Sequence, residues 1–269
     1  MALLEVCCGN LESVDAAVAG GARRIELCAD LEADGLTPPF AWLREVKARH
    51  PPLTVHVLIR PRAGDFIYST EEASRMARQV EEALEAGADG IVVGGLTPAR
   101  DIDLPLMERL VGLVDSFNLA SELLQSDLCH AANDGHFFPG LTANGEPHPS
   151  TPARRVSLTF HRAFDRCRRP FEALEQLIGL GFDRILTSGQ APTAIEGADL
   201  LRELRRRAAG RIGILPGAGI TPHNAARLLS LTGCTELHAS ASTLIDGKKV
   251  TSAETVAAIL QAIAPSAQV

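Results

Sequence analysis

One pattern recurs four times along the chain and limits what it can fold into. Gly21-Ala-Arg-Arg-Ile-Glu-Leu-Cys, Gly87-Ala-Asp-Gly-Ile-Val-Val-Gly, Gly181-Phe-Asp-Arg-Ile-Leu-Thr-Ser and Gly233-Cys-Thr-Glu-Leu-His-Ala-Ser each follow an amphipathic helical run. In each, the glycine suits a left-handed helix C-cap and a short strand comes next. Between these copies lie four more strand candidates, Leu3–Cys8, Thr54–Arg60, Val156–His161 and Ile212–Gly217. The chain therefore alternates eight short strands with helices.

Strands this short cannot stand alone, and strict β–α alternation implies a parallel sheet. Proline near the first helical turn at Thr37-Pro38, Arg169-Pro170 and Thr221-Pro222, and a capping box at Ser69-x-x-Glu72, mark helix starts. Eight units in 269 residues fit an α/β fold of the closed (β/α)8 TIM-barrel type, with a doubly wound open sheet as runner-up. No linker divides the chain, so residues 1–269 read as one domain. One segment breaks the rhythm. From about Ser121 to Arg154 the chain is rich in Gly, Pro, Asn, Ser and His, and reads as an insertion between the fourth helix and the fifth strand. Its Cys129, His130, His136 and His148 match no zinc spacing, so a mobile loop is expected there.

Alternation along each strand sorts side chains between the two faces. On the even strands Ile25/Leu27, Ile91/Val93, Ile185/Thr187 and Leu237/Ala239 should face the helices. The opposite face places Glu26, Val92, Leu186 and His238 in one interior layer and Cys28, Gly94, Ser188 and Ser240 in the next. The small upper layer leaves an open cup at the C-terminal mouth. From the odd strands Glu5, Cys7, His56, Arg60 and His161 also point inward. So polar an interior is more than stability requires, because buried charge is costly unless paired.

Four constellations carry candidate chemistry. Glu5, Glu26, Arg60 and Arg62 form either an ion-pair network or an acid–base pair with an arginine clamp for an anion. His161 with Asp165 can move protons near neutral pH at the end of a strand. Gly217 and Gly219 after the seventh strand, with Ser240 to Ser242 after the eighth, occupy the place where barrels cradle phosphate; a plain tight turn is the alternative. Cys7 and Cys28 point inward from adjacent strands and would suit a soft ion such as Cu(I), with His161 or His238 near by; two small buried hydrophobes is the plainer alternative.

Other classes are disfavoured. Lysines and arginines total 26 against 33 acidic residues, and aromatics are 4%, which argues against nucleic acid. Only Lys47, Lys248 and Lys249 are present, the first phased to a helix and the others in a late loop, so a Schiff-base enzyme is disfavoured. No GxGxxG follows a strand, so no nucleotide cofactor is expected. No apolar run reaches membrane length and no signal peptide is read, which predicts a cytoplasmic protein with reduced cysteines.

Eight motifs in order then resemble one family: Glu5-Val6-Cys7, Arg24-Ile25-Glu26-Leu27-Cys28, Gly35-Leu36-Thr37-Pro38, Ile59-Arg60-Pro61-Arg62, Gly64-Asp65-Phe66-x-Tyr68, Thr159-Phe160-His161-Arg162-Ala163-Phe164-Asp165, Leu186-Thr187-Ser188-Gly189 and Gly217-x-Gly219-Ile220. Together they resemble the copper homeostasis protein CutC family, from Leu3 to about Ser242 with a gap at the insertion. The resemblance implies a TIM barrel and a cytoplasmic homo-oligomer, dimer or tetramer, linked to copper. It also implies Cys7 and Cys28 as Cu(I) ligands. The chain departs from the family at the insertion and after Ser242, where a longer polar loop is expected. The rival reading is an isomerase- or lyase-type enzyme on a small anionic or phosphorylated metabolite. In it Glu5, Glu26, His161 and Asp165 would do acid–base work, and Arg60, Arg62, Ser188, Gly217, Gly219 and Ser240 would bind substrate.

Overall fold

The computed structural model describes residues 2–133, 155–245 and 248–264. The barrel strands are β1 (Leu3–Cys8), β2 (Arg24–Leu27), β3 (Thr54–Leu58), β4 (Gly90–Val93), β5 (Ser157–Phe160), β6 (Arg184–Thr187), β7 (Gly213–Pro216) and β8 (Glu236–Ala239). They lie in the order β7-β6-β5-β4-β3-β2-β1-β8, and every ladder is parallel. A bridge between Gly217 and His238 joins the β7 and β8 ends, closing a TIM barrel. The helices are α1 (Leu11–Ala19), α2 (Phe40–Arg49), α3 (Thr70–Glu85), α4 (Leu104–Asn133), α5 (Pro170–Gly179), α6 (Ala198–Ala208), α7 (Ala225–Thr232) and α8 (Ala253–Ile263).

The repeated glycine does what its position requires. Gly21, Gly87, Gly181 and Gly233 all have positive φ, between 70° and 94°. After α1 the Gly21 N–H reaches Val18 O and the Ala22 N–H reaches Ala17 O, the paired closure of a Schellman turn. The same pairs recur after α3, from Gly87 and Ala88, and after α5, from Gly181 and Phe182. Each turn reverses the chain straight into a strand. Among the helix starts, Ser69 forms the full capping box with Glu72, and Pro170 opens α5. The other two proline signals mark turns rather than first helical residues. Pro39 is the N-cap of α2, and Asn224 is the N-cap of α7, where its side chain accepts from the Thr221 N–H.

The strand phasing places Ile25, Leu27, Ile91, Val93, Ile185, Leu237 and Ala239 in the apolar shell between barrel and helices. Cys8 packs there too, while Cys7 and Cys28 form an inner cluster with Leu58 and Val92. Two segments differ from the sequence expectation. The irregular insertion was expected from about Ser121, yet α4 runs on to Asn133 and takes Cys129 and His130 into the helix. Leu, Ala, Glu and Gln dominate residues 119–125, and this helix-forming stretch prevails over the polar composition that follows it. His136 and His148 lie outside the described residues. Past β8, the chain forms an antiparallel pair, β9 (Ser242–Ile245) with β10 (Lys248–Thr251), where a late loop was expected. Among the described residues no helix is long and apolar enough to cross a membrane.

Candidate functional site

The barrel floor is a closed ring of polar side chains from six strands. Glu236 Oε2 contacts Arg24 Nη2 from one side and Arg184 Nε at 3.0 Å from the other. Arg24 Nε lies 2.7 Å from Glu5 Oε2, and His56 Nδ1 lies 2.8 Å from the same oxygen. His56 Nε2 meets Ser157 Oγ at 3.3 Å, and Arg184 Nη1 donates to that hydroxyl at 3.2 Å. The other Glu5 oxygen takes His238 Nδ1 at 2.8 Å. Burial acts to raise the Glu5 pKa, but the His56 and Arg24 charges and the contacts from His238 and His56 hold it well below the ordinary value. Burial lowers the His56 pKa, against the pull of Glu5. Glu5 is thus a fixed anion and the hub of the floor.

One layer higher sits the thiol cluster. Cys7 Sγ lies 3.6 Å from Cys28 Sγ and 3.5 Å from Glu26 Oε2. His238 Nε2 is 3.7 Å from that same carboxylate oxygen. Ligand atoms of Cys7, Glu26 and His238 all lie within 4.8 Å of one another, and all three residues are buried. The Cys28 contact, burial and the Glu26 charge push the Cys7 thiol pKa well up. Burial raises that of Glu26, partly offset by His238. For His238, burial opposes the charge, but Glu26, Cys7 and Glu5 outweigh it and raise the pKa well above the ordinary value. Without a metal, the cluster therefore keeps its protons on sulfur and imidazole at neutral pH.

Above the cluster the cup opens as a cavity of about 470 Å³, bordered by Cys7, Glu26 and His238 below and by Arg60, His161 and Phe66 on the side of β3 and β5. Arg60 is held by three backbone acceptors: Nη1 donates to Ala33 O and Gly35 O, and Nη2 to Gly64 O. His161 Nδ1 accepts from the Ala163 N–H at 3.1 Å. Burial, helped by Arg60, lowers the His161 pKa to about 3, so the ring is neutral at physiological pH. Its place depends on Gly94, where an added Cβ would come within 2.5 Å of the imidazole. Gly94→Ala should displace this ring and lower stability by about 1–3 kcal/mol, read by urea unfolding. An unchanged midpoint would show that the ring moves freely.

The remaining sequence candidates are dispersed. Arg62 lies outside the cup and is occupied by Glu72, Asp65 and Ile67 O, so it does not join Glu5 and Glu26; Arg24 takes that role. Asp165 borders the cavity, but its carboxylate accepts from Thr187 Oγ1, from the N–H and hydroxyl of Ser188, from the Gln190 N–H and from Arg162. None of these contacts involves His161. It clasps the segment after β5 to the end of β6. Asp165→Ala should leave buried donors unpaired and cost about 2–4 kcal/mol, measurable as a lower Tm; a change below roughly 0.5 kcal/mol would rule out the clasp. Ser188 is held by Asp165 and Ala191 O and does not border the cavity. Gly217 and Gly219 do not border it either. At Gly217 an added Cβ would meet Leu186 at 2.6 Å, so this glycine admits a close packing contact. Gly219 has φ +71° and packs beside Thr193. Ser240 is exposed and paired with Ser242.

Sequence reasoning missed Arg24, Ser157, Arg184 and Glu236. Their signal was available: each lies two residues before an inward position, so extending the two-residue alternation one step down the barrel finds them.

A closed (β/α)8 barrel with an ion-pair floor and a thiol–imidazole–carboxylate cluster beneath an open cup defines a TIM-barrel protein with a polar cavity at its C-terminal mouth. The chain belongs to the CutC family, whose family model matches residues 2–128 and 149–243. A family protein CutC from Parabacteroides distasonis is 38% identical over 246 residues, covering 91% of this chain and 85% of that protein. One from Pasteurella multocida is 40% identical over 237 residues, covering 88% and 81%. Among solved structures, CutC from Streptococcus agalactiae, assigned by name to copper homeostasis, superposes with a TM-score of 0.71 at 27% identity, covering 89% of this chain and 99% of that one.

Proposed function

We propose that this protein serves copper homeostasis by binding Cu(I) at Cys7 and Cys28. The observation that carries the reading is the 3.6 Å separation of the two sulfurs beneath an open cup. Thiolates are the soft donors that Cu(I) prefers, and the two lie close enough to share one ion. On the Cys7 side, ligand atoms of His238 and Glu26 lie within 4.8 Å of that sulfur and can add donors. His238 Nδ1 is turned to Glu5, the carboxylate–imidazole pairing that orients a metal-binding histidine. A cytoplasmic location, where the Cys7 and Cys28 thiols would stay reduced, belongs to the same proposal. So does assembly into a dimer or tetramer.

The test is a Cu(I) titration of the fully reduced protein against a competing chromophoric chelator. One equivalent should be retained, with protons released to the buffer because Cys7 binds as the thiolate and starts protonated. Apparent affinity should then rise with pH through the neutral range. Binding too weak to compete, or binding with no proton release, would overturn the assignment.

A further inference from the structure

We propose that the wall of the cup formed by β3 and β5 is a second ligand subsite, one that takes the oxyanion group of a small organic acid. Two buried donor side chains that border the cavity here each keep an unpartnered nitrogen. Arg60 directs Nη1 and Nη2 to backbone carbonyls, which leaves its Nε–H unpartnered. His161 Nδ1 already accepts the Ala163 N–H, so the proton of the neutral ring sits on Nε2, and Nε2 is unpartnered as well. Both residues are 4% exposed and both border the cavity. Buried donors without acceptors are uncommon in folded proteins, and two on one cavity wall define a place for an acceptor-only group. A carboxylate or phosphate oxygen has that property, and the guanidinium adds the complementary charge.

The surroundings set the size and character of the rest of the ligand. The Phe66 ring lies 5.1 Å from the Arg60 guanidinium and 4.9 Å from the His161 ring, so it roofs both donors. Arg100 and Arg166 stand at the mouth with Asp34, while the nearby Asp165 and Asp65 are already taken up by donors of their own loops. Leu58, Leu96 and Leu186 also border the cavity. A volume of about 470 Å³ with this apolar lining fits a carbon body attached to the anion better than an inorganic ion alone.

The test uses copper-free, reduced protein labelled with ¹⁵N in the histidine ring, titrated first with succinate and then, separately, with inorganic phosphate. The expected result is a saturable shift of the His161 Nε2–H signal with succinate and a weaker response to phosphate. By calorimetry, His161→Phe, which keeps a ring against Phe66, should weaken succinate binding roughly tenfold, the contribution of a charge-assisted hydrogen bond. His161→Gln, which keeps a donor, should retain part of the affinity. No shift with either probe, or unchanged affinity in His161→Phe, would overturn the subsite. Phosphate binding as tightly as succinate would overturn the organic-acid assignment. Copper is absent from this assay, so its failure leaves the thiol-pair reading to its own titration.

Discussion

Glu5→Ala should be the most destabilising single change in the barrel interior, by about 3–5 kcal/mol at neutral pH. The carboxylate is fully buried and contacts Arg24, His56 and His238 at 2.7–2.8 Å. Alanine removes the anion and leaves the Arg24 guanidinium with only Glu236 as counter-charge. For a domain of this size the loss corresponds to a Tm lowered by roughly 10 °C. Glu5→Gln keeps the volume but not the charge and should fall between the two proteins. The pH dependence provides an independent check. The folded pKa of Glu5 is depressed, so its stabilisation is complete above the ordinary carboxylate value and is lost as pH falls through the folded value. The gap between wild type and Glu5→Ala, measured by urea unfolding, should therefore narrow on acidification. A gap that stays constant, or a Tm change under about 2 °C, would show that the floor ring is dispensable.

Cys7→Ser and Cys28→Ser should each weaken Cu(I) binding by at least about 100-fold in the chelator competition. Serine keeps the shape but replaces a soft sulfur with a hard hydroxyl oxygen, which leaves the ion a single thiolate. Cys8→Ser is the control. That side chain belongs to the shell packed against the helices, and its thiol contacts the Val6 carbonyl oxygen rather than the cup. Its affinity should match wild type. Equal losses in all three variants would point to a general unfolding effect. No loss in Cys7→Ser or Cys28→Ser would move copper to another part of the molecule.

The fold was readable because its signals are local. A left-handed glycine after α1, α3, α5 and α7, the Ser69–Glu72 capping box and the proline that opens α5 all act within a few residues of themselves. Two-residue alternation then placed Glu5, Cys7, Glu26, Cys28, Arg60, His161 and His238 inside the barrel, where the structure has them. The extent of α4 was less legible, because helix propensity and loop composition conflict between Ser121 and Asn133.

What alternation cannot supply is the pairing of inward side chains. Arg60 and Arg62 stood as partners for two buried carboxylates, and neither takes that place. Arg24 joins Glu5 across the β1–β2 ladder, Arg60 turns to three carbonyls of neighbouring loops, and Arg62 leaves the cup for Glu72 at the start of α3. Asp165 looked like a partner for His161 four residues away, yet the donors gathered at the end of β6 claim it instead. The sequence by itself determined the eight-unit barrel and which residues face its axis, since helix caps and strand alternation depend on near neighbours. Only the tertiary structure decided that Arg24 meets Glu5, that six strands close a polar floor, and that Arg60 and His161 keep a free donor each, because those contacts depend on strand stagger and loop paths that bring distant residues within a few ångströms.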